Sequence, residues 1–425
     1  MRLSLQHFVM IAVAMAIPLT AAADPGSSCT VVTRTNVATC SVAVSANVAA
    51  ERAGKGAAEG RRTAAEPWFP SNPVVSFSAA RRNGPSASAT NVYGILSQEI
   101  EIAGQRSSRR RAADAEIDAR SADVVAQTRK VEAAAFSAWF RVVAARDATR
   151  IAERLEANGA DVARVTRARA DAGVGSDLDA DVAAAAALRF ARDKVEAARQ
   201  ERVAHAALAS LLGRDPGRDV TLDVDAHALD PIAGSDAAIA KATAAERPEL
   251  RALKLEEKAF SARAEAFRRA RFPSLTLQIF AQNDGFDEKV FGGGLSLPLP
   301  LPQPLGRTYA GEAAEADALA QQTSFRASAA ARELSAELAA ALAAWQAAKS
   351  ENALYTDERV ARAEKVLDNI AKEIEAGRLG VRDAVLAQRE LTELLRARVE
   401  ARRALALASV DVLFASGATF EGATR

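Results

Sequence analysis

The sequence is poor in the residues that carry out catalysis. Its 425 residues include 3 His, 2 Cys, 3 Met and 3 Tyr. Beyond the N-terminal segment the only histidines are His205, in a helical stretch, and His227, in an aspartate-rich loop, and neither stands in a nucleophile–base set. The glycines at 292–294 precede a strand rather than a helix, which excludes a phosphate-binding loop. We therefore predict no enzyme, no catalytic residue, no cofactor and no metal site.

A strong net charge and long apolar runs are also missing. The net charge of +1 gives no basic footprint for nucleic acid. Beyond residue 23 no run of 18 apolar residues occurs, so no transmembrane helix is predicted. Residues 1–23 have the basic start, apolar core and small residues of a secretory signal, with an uncleaved anchor helix as the alternative. Export without a helical anchor leaves the periplasm, the exterior or an outer-membrane barrel.

The two cysteines, Cys29 and Cys40, lie close together in the sequence. In an oxidising compartment they can pair. Without histidine partners nearby they do not make a zinc site. A disulfide and two free thiols both stay open.

What the sequence does contain is a pair of strands followed by a very long helical pattern. Residues 72–102 hold two segments in which apolar and polar residues alternate, as in a strand with two unlike faces. One face of the second segment carries Val92, Leu96, Ile100 and Ile102. The other face, predicted to line a barrel lumen, carries Ser97, Glu99 and Glu101. A half-buried strand of a soluble protein would alternate in the same way. However, the helical pattern at 106–171 would be roughly 100 Å long, which does not fit a compact domain.

This unit occurs twice at a nearly constant spacing. Pro73 and Pro273 are 200 residues apart, and the helix-ending glycines Gly173 and Gly377 are 204 apart, which indicates a tandem duplication. Two hairpins give four strands, whereas the smallest membrane barrels have about eight. Because an open sheet edge cannot lie in lipid, several protomers must pool their strands, and three would supply twelve.

Several segments around the strands resemble those of the TolC-type outer-membrane efflux factors. The matching segments are 72–73, 98–106, 247–250, 295–301 and 306–307. The Gln-Glu-Ile-Glu-Ile-x-Gly-x-Arg form at 98–106 is most similar to the heavy-metal-efflux branch. The resemblance covers nearly all of the chain beyond the signal.

The resemblance implies a mainly α fold with a membrane β part. It implies a homotrimer in the outer membrane of a Gram-negative bacterium, with one shared twelve-stranded barrel, contacts to lipid, and a long helical tunnel in the periplasm. The function it implies is an exit duct that passively exports metal cations or drugs received from an inner-membrane pump and a periplasmic adaptor. The alternative is a periplasmic coiled-coil adaptor or scaffold of an export complex.

The predicted division of the chain follows the repeat. It comprises a signal peptide (1–23), an N-terminal segment with the first helix (24–71), a barrel hairpin (72–102), a helical hairpin of the tunnel (103–213), a mixed equatorial segment (214–235), a helix of the second repeat (236–271), a second barrel hairpin (272–301), a second helical hairpin (302–416) and a C-terminal tail (417–425). We expect the last strand to end near Leu299, an unbroken helix from Gly306 to about residue 375, and a loose tail.

The helix breaks near 172–178 and 376–381 lie farthest from the strands. Acidic residues follow both breaks: Asp177, Asp179, Asp181 and Asp383. In a trimer they would form rings of carboxylates that can select cations and gate, or they are acids favoured at helix N-termini by the dipole. The resemblance implies that Asp383 is the best gate candidate. It also implies that the breaks dock the adaptor through Val174, Gly175, Leu379, Gly380 and Val381.

Two further groups of residues have structural interpretations. An arginine cluster follows the first hairpin, and it is either an anchor to lipid head groups or a solvated basic patch: Arg106, Arg109, Arg110 and Arg111. Trp139 and Trp345 lie at roughly equivalent places of the two repeats, and we predict that both are packing residues.

Overall fold

The computed structural model describes residues 29–83, 88–218, 220–224, 227–232, 247–283, 288–301 and 304–420. The predicted signal peptide, both hairpin tips, the first part of the helix expected from residue 236, and the last five residues lie outside these ranges. In chain order the described elements are α1 Val37–Val44, α2 Ala46–Ala64, β1 Val74–Asn83, β2 Ser88–Ile100, α3 Gln105–Asp171, α4 Asp177–Leu211, α5 Pro248–Ala270, β3 Leu275–Asn283, β4 Lys289–Ser296, α6 Ala310–Asn352, α7 Asp357–Glu375 and α8 Val381–Ser416. The chain is mainly helical with four strands, as predicted.

The four strands form one antiparallel sheet in the order β1-β2-β3-β4, which we call the barrel sheet. Each hairpin pairs internally, and β2 also pairs with β3, so that Leu96 lies opposite Ile279. The two hairpins of one protomer are therefore already joined, and only the outer edges of β1 and β4 lack a neighbour in the described sheet.

The register of the barrel sheet separates an apolar face from a polar face. Ser97 pairs with Val74 and with Gln278, which places Ser97, Gln278 and, along β1 from Val74, Ser76 and Ser78 on one side. The residues in between face the other way, and these include Val75, Phe77, Leu96, Ile279 and Leu295. The apolar face is the more exposed one, and Phe77 is 80% exposed.

In both repeats the second strand of the hairpin ends earlier than expected. β2 ends at Ile100, so Glu101 lies outside the ladder, where it pairs with Arg109 instead of continuing the polar face. β4 ends at Ser296 rather than near Leu299. Pro298 has no N–H to donate to a ladder, which explains the earlier end.

The first helical hairpin agrees closely with the sequence. α3 has 67 residues, about 100 Å of helix, and it begins after Gly104, whose φ of 75° is left-handed. α4 begins at Asp177, directly after the first break, because the Ser176 side chain caps it by accepting a hydrogen bond from the Leu178 N–H.

The second helical hairpin contains a break that the sequence analysis missed. The expected run from Gly306 is two helices, α6 and α7, interrupted at 353–356. Thr356 caps α7 by accepting a hydrogen bond from the Arg359 N–H at 3.4 Å, and two acidic residues follow in the first turn. The start also differs, since α6 begins only after Tyr309, at φ 52°.

The largest core lies midway along α3, where the N-terminal segment and residues 220–224 and 227–232 pack against the helices. Trp139 and Phe136 are fully buried there, and an isolated bridge joins Val32 to Leu222. Trp345 is buried in a smaller cluster between α6 and α8, so both tryptophans pack as predicted. The expectation of a loose tail is wrong for residues 417–420, because Phe420 is buried and stacks on Phe136.

The two cysteines, left open by the sequence, form a disulfide. Cys29 and Cys40 have Cα atoms 5.9 Å apart. The bond ties the start of the described chain to α1, next to the core around Trp139.

Candidate functional site

The apolar face of the barrel sheet is too extensive for a surface in water. β3 has nine residues and spans about 30 Å at 3.3 Å per residue, close to the hydrocarbon thickness of a bilayer. Exposed apolar side chains continue across all four strands of this face, which is the arrangement of a lipid-facing barrel wall. The opposite face, with Ser97, Glu99 and Gln278, is the one suited to water.

None of the described helices is long and apolar enough to cross a bilayer.

The arginine cluster sits at the junction between the barrel sheet and α3, and its members have local partners. The Arg106 Nε donates to the Glu66 carbonyl oxygen at 2.8 Å, and its guanidinium lies 4.1 Å from the ring of Trp68. Arg109 pairs with Glu101. Trp68 itself is exposed, as aromatic residues are at the boundary between lipid and water.

At the far end of the long helices the two breaks lie side by side. We call residues 172–176 and 376–380 together the distal turns. Each contains a left-handed glycine, Gly173 at φ 73° and Gly377 at φ 70°. The Arg169 Nη1 donates to the carbonyl oxygens of Ile374 at 2.8 Å and Glu375 at 3.1 Å, which fixes the end of α3 to the end of α7.

The four predicted gate acids differ in their surroundings. Asp177 and Asp181 both pair with Arg167, at 3.3 and 2.8 Å. Asp383 is exposed and Asp179 is half-buried, and within the described part of the chain neither has an ion-pair partner. Asp177, Asp179 and Asp383 all lie in the first turn of a helix, where the dipole favours them.

Sequence reasoning missed the arginines that shape the distal turns. Besides Arg167 and Arg169, Arg378 makes a two-bonded pair with Glu373, at 2.6 and 2.7 Å. The hydrogen bonds from Arg378 lower the pKa of Glu373, so the pair is still present at the ordinary glutamate pKa and is lost only as the pH falls through the lowered value. The signal available in the sequence was an arginine within a few residues of each helix break.

The predicted docking residues fall into two groups. Val174 is 65% exposed, and Leu178 beside it is 71% exposed. Leu379 and Val381 are half-buried against a core cluster formed by α3, α4, α7 and α8. A Cβ atom at Gly175 would lie 3.1 Å from the Ala170 backbone nitrogen, so the backbone packs tightly at this turn.

Comparison with known proteins assigns this architecture. The family model of the outer membrane efflux protein matches residues 44–214 and 239–418. The chain belongs to the outer membrane efflux protein family. It is accordingly an outer-membrane channel that serves as the exit duct of a tripartite efflux system, with the helical tunnel in the periplasm. The alternative of a periplasmic adaptor is therefore not supported.

Solved structures of efflux channels have the same fold. CusC is 16% identical, with a TM-score of 0.70, and the match covers 91% of this chain and 92% of CusC. MtrE of Neisseria gonorrhoeae, in its open state, is 19% identical, with a TM-score of 0.70, and covers 92% and 90%. VceC of Vibrio cholerae is 17% identical, with a TM-score of 0.68, and covers 91% and 96%. No curated protein matches the sequence significantly.

Outer membrane efflux proteins are trimeric channels, which gives the open edges of the barrel sheet their partners. Four strands from each of three protomers close a barrel of twelve. Among the described residues, no group of three or more His, Cys, Asp or Glu is placed to hold a metal ion.

Proposed function

We propose that three copies of this chain form a passive duct that docks a periplasmic adaptor at its distal turns and receives solutes from an inner-membrane pump. The observation that carries the proposal is the barrel sheet, which has an exposed apolar face and two unpaired edges, at one end of helices about 100 Å long. Because its two edges would remain unpaired, the sheet of a single protomer cannot lie in lipid. The helices are long enough to cross a periplasmic gap.

The helices offer a matching contact surface for neighbouring copies. α4 packs on α3, and its outer side carries an exposed apolar stripe formed by Leu178, Leu188, Val195 and Val203. α6 exposes Phe325, α7 exposes Val366, and the break between the two helices exposes Leu354. We propose that the α4 stripe of one protomer packs on α6 and α7 of the next. In the barrel, the same two protomers would be joined by pairing between the edge strands β1 and β4.

The gate is proposed to lie at the distal turns, with Asp383 as its principal residue. Arg167 already compensates Asp177 and Asp181 within one protomer. Asp383 is exposed on the helix that follows the second turn, so three copies would place uncompensated carboxylates around the axis. Asp179, half-buried and without an ion-pair partner among the described residues, is the second candidate.

Adaptor docking is proposed to use the two distal turns unequally. Val174 is available for apolar contact, with Gly175 shaping its turn, because it is 65% exposed. Leu379 and Val381 contribute to the protomer's own packing, so the second turn would offer mainly the backbone around Gly380. The lumen of the barrel would be lined by Ser97 and Glu99, with Glu101 held at the junction by Arg109.

The assignment to the heavy-metal branch is supported by the sequence form at residues 98–106 alone. In that case the cation would pass along the duct and selection would rest with the pump.

A reconstitution experiment tests the duct. Protein extracted from outer membranes with detergent should run as a trimer in size-exclusion chromatography with light scattering, and it should conduct ions in planar bilayers. A monomer that stays in solution without detergent, with its strands packed on its own helices, would refute the proposal.

A further inference from the structure

Two aromatic side chains lie together on the polar face of the barrel sheet. Tyr93 of β2 and Phe280 of β3 have ring centroids 5.8 Å apart, with planes tilted by 42°. The register puts both on the face of Ser97 and Gln278, since Phe280 lies opposite Ile95 and Tyr93 lies opposite Gln282. They are therefore on the water side of the wall, unlike Phe77 and Phe291, which face lipid.

The glycine tract of β4 explains how Phe280 is held. Gly292 lies directly opposite Phe280, and a Cβ atom at Gly292 would collide with the phenyl ring. The far end of the ring thus occupies the space above Gly292, and Phe280 remains half-buried on this face of the sheet. A glycine at position 292 therefore has a structural role, which is to make room for the ring of Phe280.

We infer that Tyr93 and Phe280 form a binding patch for planar aromatic solutes on the inner wall of the barrel, one patch per protomer. The inference rests on the proposed duct and adds a class of solute to it. Flat π faces stack on planar rings and attract cations through the ring quadrupole. The surrounding wall has Ile95 opposite Phe280 and Gln282 opposite Tyr93, and its charged residues are Glu99 toward the helices and Arg82 toward the hairpin tip.

The patch favours organic solutes over soft metal ions. None of the lumen-facing residues in the described parts of β1 to β4 is His, Cys or Met, the side chains that bind such ions. A planar aromatic solute, in contrast, can contact the rings of Tyr93 and Phe280 without any rearrangement of the barrel sheet.

Fluorescence anisotropy of ethidium, a planar aromatic cation, titrated with the purified trimer in detergent, tests the patch. Tyr93→Leu and Phe280→Leu keep apolar volume but remove the ring, and each should raise the dissociation constant by about two- to fivefold. Phe77→Leu and Phe291→Leu, which alter rings on the lipid side, are the matched controls and should leave it unchanged. Tetraethylammonium, a cation without a ring, should not displace ethidium.

The outcomes separate the patch from the duct. Equal affinity in the wild type and both ring variants, or an equal loss in the lipid-side controls, would overturn the patch. Light scattering on each variant confirms the trimer, and two separate variants keep the test valid if one fails to assemble. Conductance of the same preparations in bilayers reports on the duct alone, so a conducting trimer without ethidium binding refutes only the patch.

Discussion

Some side chains in this channel pack where only a glycine leaves room for them, and Phe280 packs in this way against Gly292. A methyl group at this position would collide with the ring of Phe280. We predict that Gly292→Ala forces the ring out of place and destabilises the trimer by about 1–3 kcal/mol, the usual cost of overpacking. The temperature at which the trimer dissociates on a gel measures the effect.

The neighbouring glycine provides the control for that prediction. A methyl group at Gly293 would lie 3.5 Å from the Gln278 carbonyl oxygen, an ordinary contact, on the lipid side of the sheet. Gly293→Ala should therefore dissociate near the wild-type temperature. If both variants shift equally, the position of Phe280 is not the cause.

The acids at the distal turns differ in a way that permits a matched test of gating. Asp383→Ala removes an uncompensated carboxylate, whereas Asp177→Ala removes one already paired with Arg167. We predict that cells carrying the Asp383 variant become several-fold more sensitive to a large antibiotic, and that the Asp177 variant changes sensitivity less. Equal sensitivity of the two variants, with normal trimer levels, would remove Asp383 from the gate.

Among the helices, α8 depends on a buried arginine of another element. The Arg129 Nη2 donates to the carbonyl oxygens of Leu413, Phe414 and Ala418, at 3.1, 3.3 and 2.7 Å. Burial lowers the pKa of Arg129, but a cation at a helix C-terminus is favoured by the dipole and satisfies orphan carbonyls. The helix end and the tail are thereby fixed to α3.

We predict that Arg129→Met destabilises the protein by about 2 kcal/mol. The free energy lost with the charged hydrogen bonds should exceed the free energy gained because a charge is no longer buried. Hydrogen–deuterium exchange should speed up in residues 413–420 while the distal turns remain unchanged. Arg150→Met, an exposed residue of the same helix, is the control. Unaltered exchange at 413–420 would contradict a capping role for Arg129.

Elements governed by local periodicity could be predicted from the sequence, and those that depend on distant partners could not. The bounds of α3 and the two faces of β2 follow from helical and alternating patterns. The burial of Phe420 depends on Phe136, far away in the chain. The break before α7 had a local signal in Thr356 and two acids, which the continuous alanine-rich pattern obscured.

The same division applies to the candidate site. The positions of the distal turns and of Asp383 could be predicted, because glycines and capping acids mark helix ends. The bond from Arg169 to the Ile374 carbonyl joins residues 205 positions apart, and no pattern in the sequence indicates it. Which of the four acids are compensated therefore required the structure.

For the whole molecule, the α4 stripe should decide assembly. Leu188 and Val195 are 72% and 69% exposed and lie seven residues apart on one side of the helix. We predict that the double variant Leu188→Asp, Val195→Asp shifts the protein from trimer toward monomer in light scattering, since charges would be buried against the neighbour. Arg189→Asp, turned about 100° around the helix, should remain trimeric. A trimeric double variant would show that another surface joins the protomers.

The unpaired edges of β1 and β4 also have a genetic consequence. Every protomer must pair both of its edge strands with its neighbours. One copy with a damaged edge therefore prevents closure of the barrel and inactivates the two intact copies in the same trimer. A cell that makes intact and edge-damaged chains together would lose more channels than the share of damaged chains. Such alleles should therefore behave as dominant inhibitors of efflux, whereas a simple absence of the gene product should be recessive.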